Sequence, residues 1–98
     1  MRYDFEWDIK KARNNIRKHK VSFERAATIF RDPNLLSIPD EESSESEERW
    51  ITMGLDETGI LLVLSHKFES VSTQLSRIRI ISARKATIKE TEQYEKGI

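Results

Sequence analysis

Two histidines, a tyrosine near the C-terminus and a dense set of lysines and arginines are the groups in this 98-residue sequence able to do chemistry. Only histidine titrates near neutrality unaided, which makes His19 and His66 the first acid–base candidates. Tyr94 joins them if neighbouring cations lower its pKa. The cations concentrate in Arg77-Ile78-Arg79-Ile80-Ile81-Ser82-Ala83-Arg84-Lys85-Ala86-Thr87. Its isoleucines suit a strand buried on at least one face, whereas arginine is seldom buried without a partner. Arg79 and Arg84 therefore call for a reason other than packing. The guanidinium fork matches phosphate, so this strand is where a phosphate site is to be sought. Strict alternation puts Arg79 and Arg84 on opposite faces. They share a site only if a bulge or the strand end re-aims one of them.

Each candidate also has a plainer reading. His19 near a helix C-terminus can simply interact with the helix dipole, Tyr94 can pack its ring beneath its helix, and Arg79 can pair with an acid such as Glu48. His66 at a strand end is either a surface or a groove residue. Trp50 is either an aromatic anchor or, with Arg49, part of a floor on which bases stack. No metal site is expected. The two histidines lack ligand spacing, there is no cysteine, and the acidic stretch lacks the pattern of a calcium loop.

The elements that must position these groups follow from length and pattern. Residues 1–98 fit one domain with a single sheet and two or three helices. Absence of cysteine suits a reducing cytosol, and no apolar run is long enough for a signal peptide or a membrane span. A cytoplasmic protein is expected. The zero net charge conceals a segregation: residues 1–39 carry nine bases and five acids, residues 40–48 six acids and no base, and residues 49–98 eight bases and six acids. Such a balance argues against broad nonspecific DNA binding and leaves local basic patches for RNA or an acidic partner.

Arg2 to Trp7 alternates as a short strand, and Asp8 caps a helix running to about His19. After the corner Lys20-Val21, Ser22 caps a second helix carrying Phe23, Ala26, Ala27 and Phe30 to the core, which ends at Asp32-Pro33. Residues 34–39 suit a short edge strand and residues 40–48 a solvated loop. Strands follow over Arg49–Leu55, Ile60–Ser65 (closed by His66-Lys67) and Leu75–Ala83, joined by the turn 56–59 and a hairpin loop at 68–74. They make an antiparallel meander. Thr87 and Glu90 form a capping box, opening a polar helix that stops near Gly97. The fold class is α+β.

Several stretches carry a family resemblance: Phe5-Glu6-Trp7-Asp8, the Lys18-His19 corner with Val21-Ser22-Phe23-Glu24, Phe30-Arg31-Asp32-Pro33, Glu48-Arg49-Trp50, and Arg79 to Thr87 with Glu90 and Tyr94-Glu95. Over nearly its whole length the chain resembles the BrnT toxins of bacterial type II toxin–antitoxin pairs. The resemblance implies a RelE-like fold and a metal-independent ribonuclease that needs no cofactor. It also implies neutralisation by a ribbon-helix-helix antitoxin, whose complex with the toxin binds operator DNA. Two positions depart from the family: Lys20 stands where glycine is usual after Lys-His, and Ile9 where proline is frequent.

Metal-free RNA cleavage needs a base for the 2′-hydroxyl, a cation for the phosphate charge and an acid for the leaving 5′-oxygen. Arg79 and Arg84 suit the cation, His19, His66 and Tyr94 the proton transfers, and Lys18, Arg49, Trp50 and Lys85 the RNA contacts. The competing reading is a noncatalytic module that holds RNA or a protein. A DNA-reading helix pair fits poorly, because Phe23, Ala26, Ala27 and Phe30 belong in a core.

Overall fold

The computed structural model describes residues 2–41 and 49–97. Strand β1 (Arg2–Glu6) leads into helix α1 (Ile9–His19), and helix α2 (Phe23–Ala27) passes directly into a 3₁₀ turn, Thr28–Arg31. Strands β2 (Leu36–Pro39), β3 (Arg49–Leu55), β4 (Leu61–Ser70) and β5 (Leu75–Lys85) follow, then helix α3 (Ile88–Lys96). They form an α+β fold on one mixed sheet of order β1-β5-β4-β3-β2. The meander β2 to β5 is antiparallel, and β1 joins its far edge parallel to β5.

The caps sit where side-chain chemistry puts them. Asp8 accepts from the amides of Lys10 and Lys11, Ser22 from that of Arg25, and Thr87 and Glu90 satisfy each other's amides. The second helix is shorter than its apolar spacing predicts. The Thr28 hydroxyl donates to the Arg25 carbonyl at 2.7 Å, a back-bond that competes with helix continuation, and the chain tightens to 3₁₀. That turn lies against β3 at Gly54, where a Cβ would meet Ile29 at 3.2 Å. Arg25 and the buried Asp56 form an ion pair that ties α2 to the β3–β4 turn.

Helices α1 and α2 cover one face of the sheet. Val21, Phe23, Ala26 and Ile29 pack there against Leu62, Leu64, Ile78, Ile80 and Ala83. Asn15 fastens α1 to β5: its amide donates to the carbonyls of Val21 (2.9 Å) and Ala83 (2.8 Å), and its oxygen accepts from the Ala83 amide (3.0 Å). The corner after α1 is closed by Lys20 in the left-handed conformation, φ 60°. The geometry that favours glycine is thus kept with a lysine in place.

The expected strand bounds change as well. Strand β4 does not stop at Ser65 but runs to Ser70, because alternation resumes after the apolar run, and the hairpin loop shrinks accordingly. Of the acidic loop, residues 42–48 lie outside the described residues. So does Glu48, the acid considered for Arg79.

Candidate functional site

The face of the sheet turned away from α1 and α2 carries the arginines of β5. Register sets the arrangement. Arg49 of β3 lies opposite Lys67 of β4, Lys67 opposite Arg79 of β5, and Arg79 opposite Glu6 of β1. Adjacent strands are about 4.8 Å apart, so three cations and one carboxylate form a single row across four strands, roughly 14 Å long. Like charges directly opposite one another oppose sheet formation.

Arg84 comes to the same face through an irregularity. Ser65 pairs with Ser82 but His66 pairs with Ile80, so Ile81 is an extra residue and the phase of β5 flips there. Before it Ile78 and Ile80 face the core; after it Ala83 does. Arg84 therefore points to the side of Arg77 and Arg79, which strict alternation forbids. The row between them presents Ser65 and Ser82.

The two arginines differ in what they hold. Arg84 makes a bidentate pair with Glu90 of α3 at 2.8 and 2.9 Å, and the Thr87 amide shares the same carboxylate. Arg84 holds the Glu90 carboxyl down to about 2. Arg79 reaches Glu6 with one nitrogen only, at 3.5 Å, and both side chains are nearly half exposed. Arg79 is thus the more available of the two, and Arg84 ties the end of β5 to α3.

The acid–base candidates are not brought to this face. His66 lies within β4 on the core side and is 3% exposed. Its Nδ1 faces the Lys67 carbonyl at 3.2 Å, which can only accept, so the proton sits on Nδ1. Its Nε2 then accepts from Thr52 Oγ1 at 2.7 Å, and Thr52 in turn meets the Ser37 hydroxyl at 2.6 Å. Burial pushes its pKa down, and its ring sits edge-on to Phe30. His66 is a neutral core histidine, neither the surface residue nor the groove residue expected of it at a strand end. Trp50 shares the core-side parity of His66 and is half-buried, on the face opposite Arg49. His19 and Lys18 are exposed at the end of α1, in the helix layer. Lys85 is exposed at the end of β5 with core-side parity.

Tyr94 is on α3, and its hydroxyl donates to Asp32 in a short hydrogen bond. The same Asp32 oxygen accepts from the Leu55 amide at 2.8 Å. Burial and that carboxylate push the phenol up to about 12, the reverse of what a base needs.

Sequence reasoning passed over Glu6 and Lys67. The signal was there for Glu6: Asp4 and Glu6 repeat at the spacing of Arg77 and Arg79, and the two pairs lie opposite one another in register. Lys67 escaped notice because β4 was expected to end before it. Two grooves among the described residues lie away from the row, one lined by Tyr3, Phe5, Ala27 and Phe30 and one around Thr28, Asp32 and Leu55. Among the described residues no group of three His, Asp or Glu is gathered in a metal-ligating cluster, and no helix is long and apolar enough to cross a membrane.

Over residues 7–90 the chain matches the family model described as the ribonuclease toxin, BrnT, of type II toxin–antitoxin systems. No curated protein matches it. Among solved structures it is similar to the 1.1 Å crystal structure of the Brucella abortus ribonuclease toxin BrnT, with a TM-score of 0.61 and 20% identity. That similarity covers 89% of this chain and 99% of the other, and it establishes the fold.

Proposed function

The chain belongs to the BrnT family of ribonuclease toxins of type II toxin–antitoxin systems, and from that premise we propose a metal-independent endoribonuclease that works on the face carrying Arg49, Lys67 and Arg79. Family membership implies RNA as substrate and an antitoxin protein as partner. The single observation that carries the siting is the Arg49–Lys67–Arg79 row, continued by Arg84 across the Ile81 bulge. An RNA phosphate seated at the β5 end of this row meets Arg79. As negative charge gathers on the phosphate oxygens, the preoriented guanidinium stabilises it more than it stabilises the ground state.

In this reading Arg79 is the charge stabiliser. Arg84 positions the strand end through Glu90, and Arg49 and Lys67 hold the RNA backbone. His66 is structural. His19, Lys18, Trp50 and Lys85 take no part in the chemistry, and Tyr94 fixes α3 and does not carry protons. One domain holds the whole activity, the protein works in the cytoplasm, and the antitoxin is a ribbon-helix-helix protein through which the complex contacts operator DNA.

The test is cleavage of RNA by purified protein. A substrate with a 2′-deoxy sugar at the scissile position binds but is not cut, chelator leaves the rate unchanged, and Arg79→Ala lowers the rate by about 10²–10³. Cutting of the 2′-deoxy substrate, or an Arg79→Ala protein at the parental rate, overturns the reading. A second reading, a noncatalytic RNA- or protein-binding module, draws on one observation: His66, Tyr94 and Arg84 are all committed to contacts that hold the structure. RNA binding with no cleavage at any concentration would favour it.

A further inference from the structure

Resting on the ribonuclease reading above, we propose that Glu6 is the general base of this site, with Lys67 as the acid on the other side of Arg79. The argument starts from order along the row, which runs Glu6, Arg79, Lys67, Arg49 on β1, β5, β4 and β3. Attack by a 2′-oxygen on phosphorus expels the 5′-oxygen from the opposite side, so the base and the acid must flank the phosphate from opposite directions. A phosphate centred on Arg79 has Glu6 one strand away on one side and Lys67 one strand away on the other, each about 4.8 Å off in the sheet. The row therefore supplies a carboxylate, a fixed cation and an ammonium in the sequence that an in-line displacement needs.

The surroundings single out Glu6 among the acids. Glu90 is held bidentately by Arg84, Asp56 is sealed in its turn by Arg25, Thr58 and Ile60, and Asp32 is shared by Tyr94, Leu55 and Asn34. Asp8 caps α1 through the amides of Lys10 and Lys11, and Arg79 lies near enough to help lower its pKa. Glu69 pairs with Arg77, which lies opposite Asp4 in turn, a row of net charge −1 that offers a phosphate nothing. Glu6 alone stands in a row of net charge +2, and among the described residues its single polar contact is the 3.5 Å approach to Arg79. It is 47% exposed at the side chain and open to a substrate hydroxyl. The charged groups facing it are Arg79 and Lys67 along the row, with Asp4, Asp8 and Arg77 beside it.

In the step itself the Glu6 carboxylate takes the 2′-hydroxyl proton as the 2′-oxygen forms its bond to phosphorus. The bond from phosphorus to the 5′-oxygen breaks, and that oxygen takes a proton from the Lys67 ammonium. The products are a 2′,3′-cyclic phosphate and a free 5′-hydroxyl, and exchange with water resets both groups.

The experiment compares wild type, Glu6→Gln and Glu6→Asp, measuring single-turnover cleavage and, separately, binding to RNA blocked by a 2′-deoxy sugar. Glu6→Gln removes a negative charge beside three cations, so it binds the blocked RNA as tightly as wild type or more tightly. It nevertheless cuts about 10²–10⁴ more slowly, and the decline of log rate at low pH disappears. Glu6→Asp keeps the charge and the low-pH decline at a reduced rate, and it carries the test if the glutamine variant does not fold. A mere charge partner behaves otherwise: Glu6→Gln would cleave at the parental rate or faster, and that result overturns the proposal. So does a Glu6→Asp protein whose rate no longer depends on pH. A wild-type protein that cuts no RNA would overturn the ribonuclease reading itself. Cleavage by wild type with an undiminished glutamine variant removes only Glu6.

Discussion

Asn15 is 5% exposed, and both ends of its amide are committed to backbone groups of the corner and of β5. Asn15→Ala would leave the carbonyls of Val21 and Ala83 and the amide of Ala83 without that partner. A loss of about 3 kcal/mol in chemical denaturation is expected, since each unsatisfied buried group costs roughly 1–3 kcal/mol. Lys20 works in the opposite direction. A lysine at φ 60° pays about 1 kcal/mol that glycine does not, so Lys20→Gly is expected to stabilise the protein by up to about that amount. A glycine variant less stable than the parent would show that the lysine side chain, whose Nζ lies 3.4 Å from the Arg17 carbonyl, contributes more than the strain removes. Among site residues the sequence made Arg79 legible, because a guanidinium among isoleucines on a strand has few structural uses. It misled at His66, whose place after an apolar run resembles a strand end. The hydroxyl chain of Ser37 and Thr52 that satisfies the buried ring comes from two other strands and leaves no local mark.

Helix α3 has no buried residue and is held by polar clasps, Arg84 to Glu90 at its start and Tyr94 to Asp32 near its end. Tyr94→Phe removes the second clasp. It is expected to speed amide exchange in α3 and to cost about 1.5 kcal/mol there, with the core exchange little changed. Acid loosens the first clasp. Glu90 titrates at about 2 when folded against an ordinary 4.5, so its contribution is complete above roughly pH 4.5 and lost as the pH falls toward 2. Asp56, held at about 2 despite burial by Arg25 and the Ile60 and Thr58 groups, weakens the α2 anchor over nearly the same range. Circular dichroism melts between pH 5 and 2 should show a falling midpoint, and Glu90→Gln should flatten part of that dependence. The three helix starts were legible because a capping side chain is a local signal. The bulge at Ile81 was not, since nothing in Ile80-Ile81-Ser82 states which residue will be left over when β5 meets β4.

At the scale of the whole molecule, the meander was legible from short connections, and the parallel β1–β5 pairing was not, because it joins residues more than seventy positions apart. That pairing governs when the proposed site comes into being. Within the five-stranded sheet Glu6 is on β1 and Arg79 on β5, so on the ribosome the row lacks Arg79 until β5 has been synthesised. At roughly 5–20 residues per second, the interval between making Glu6 and making Arg79 is several seconds. A nascent chain stopped just before β5 holds β1, α1 and α2 with no strand for β1 to join. On the proposed siting, strand order by itself withholds the row until β5 has been made, and a chain arrested earlier carries Glu6 without the arginine it faces.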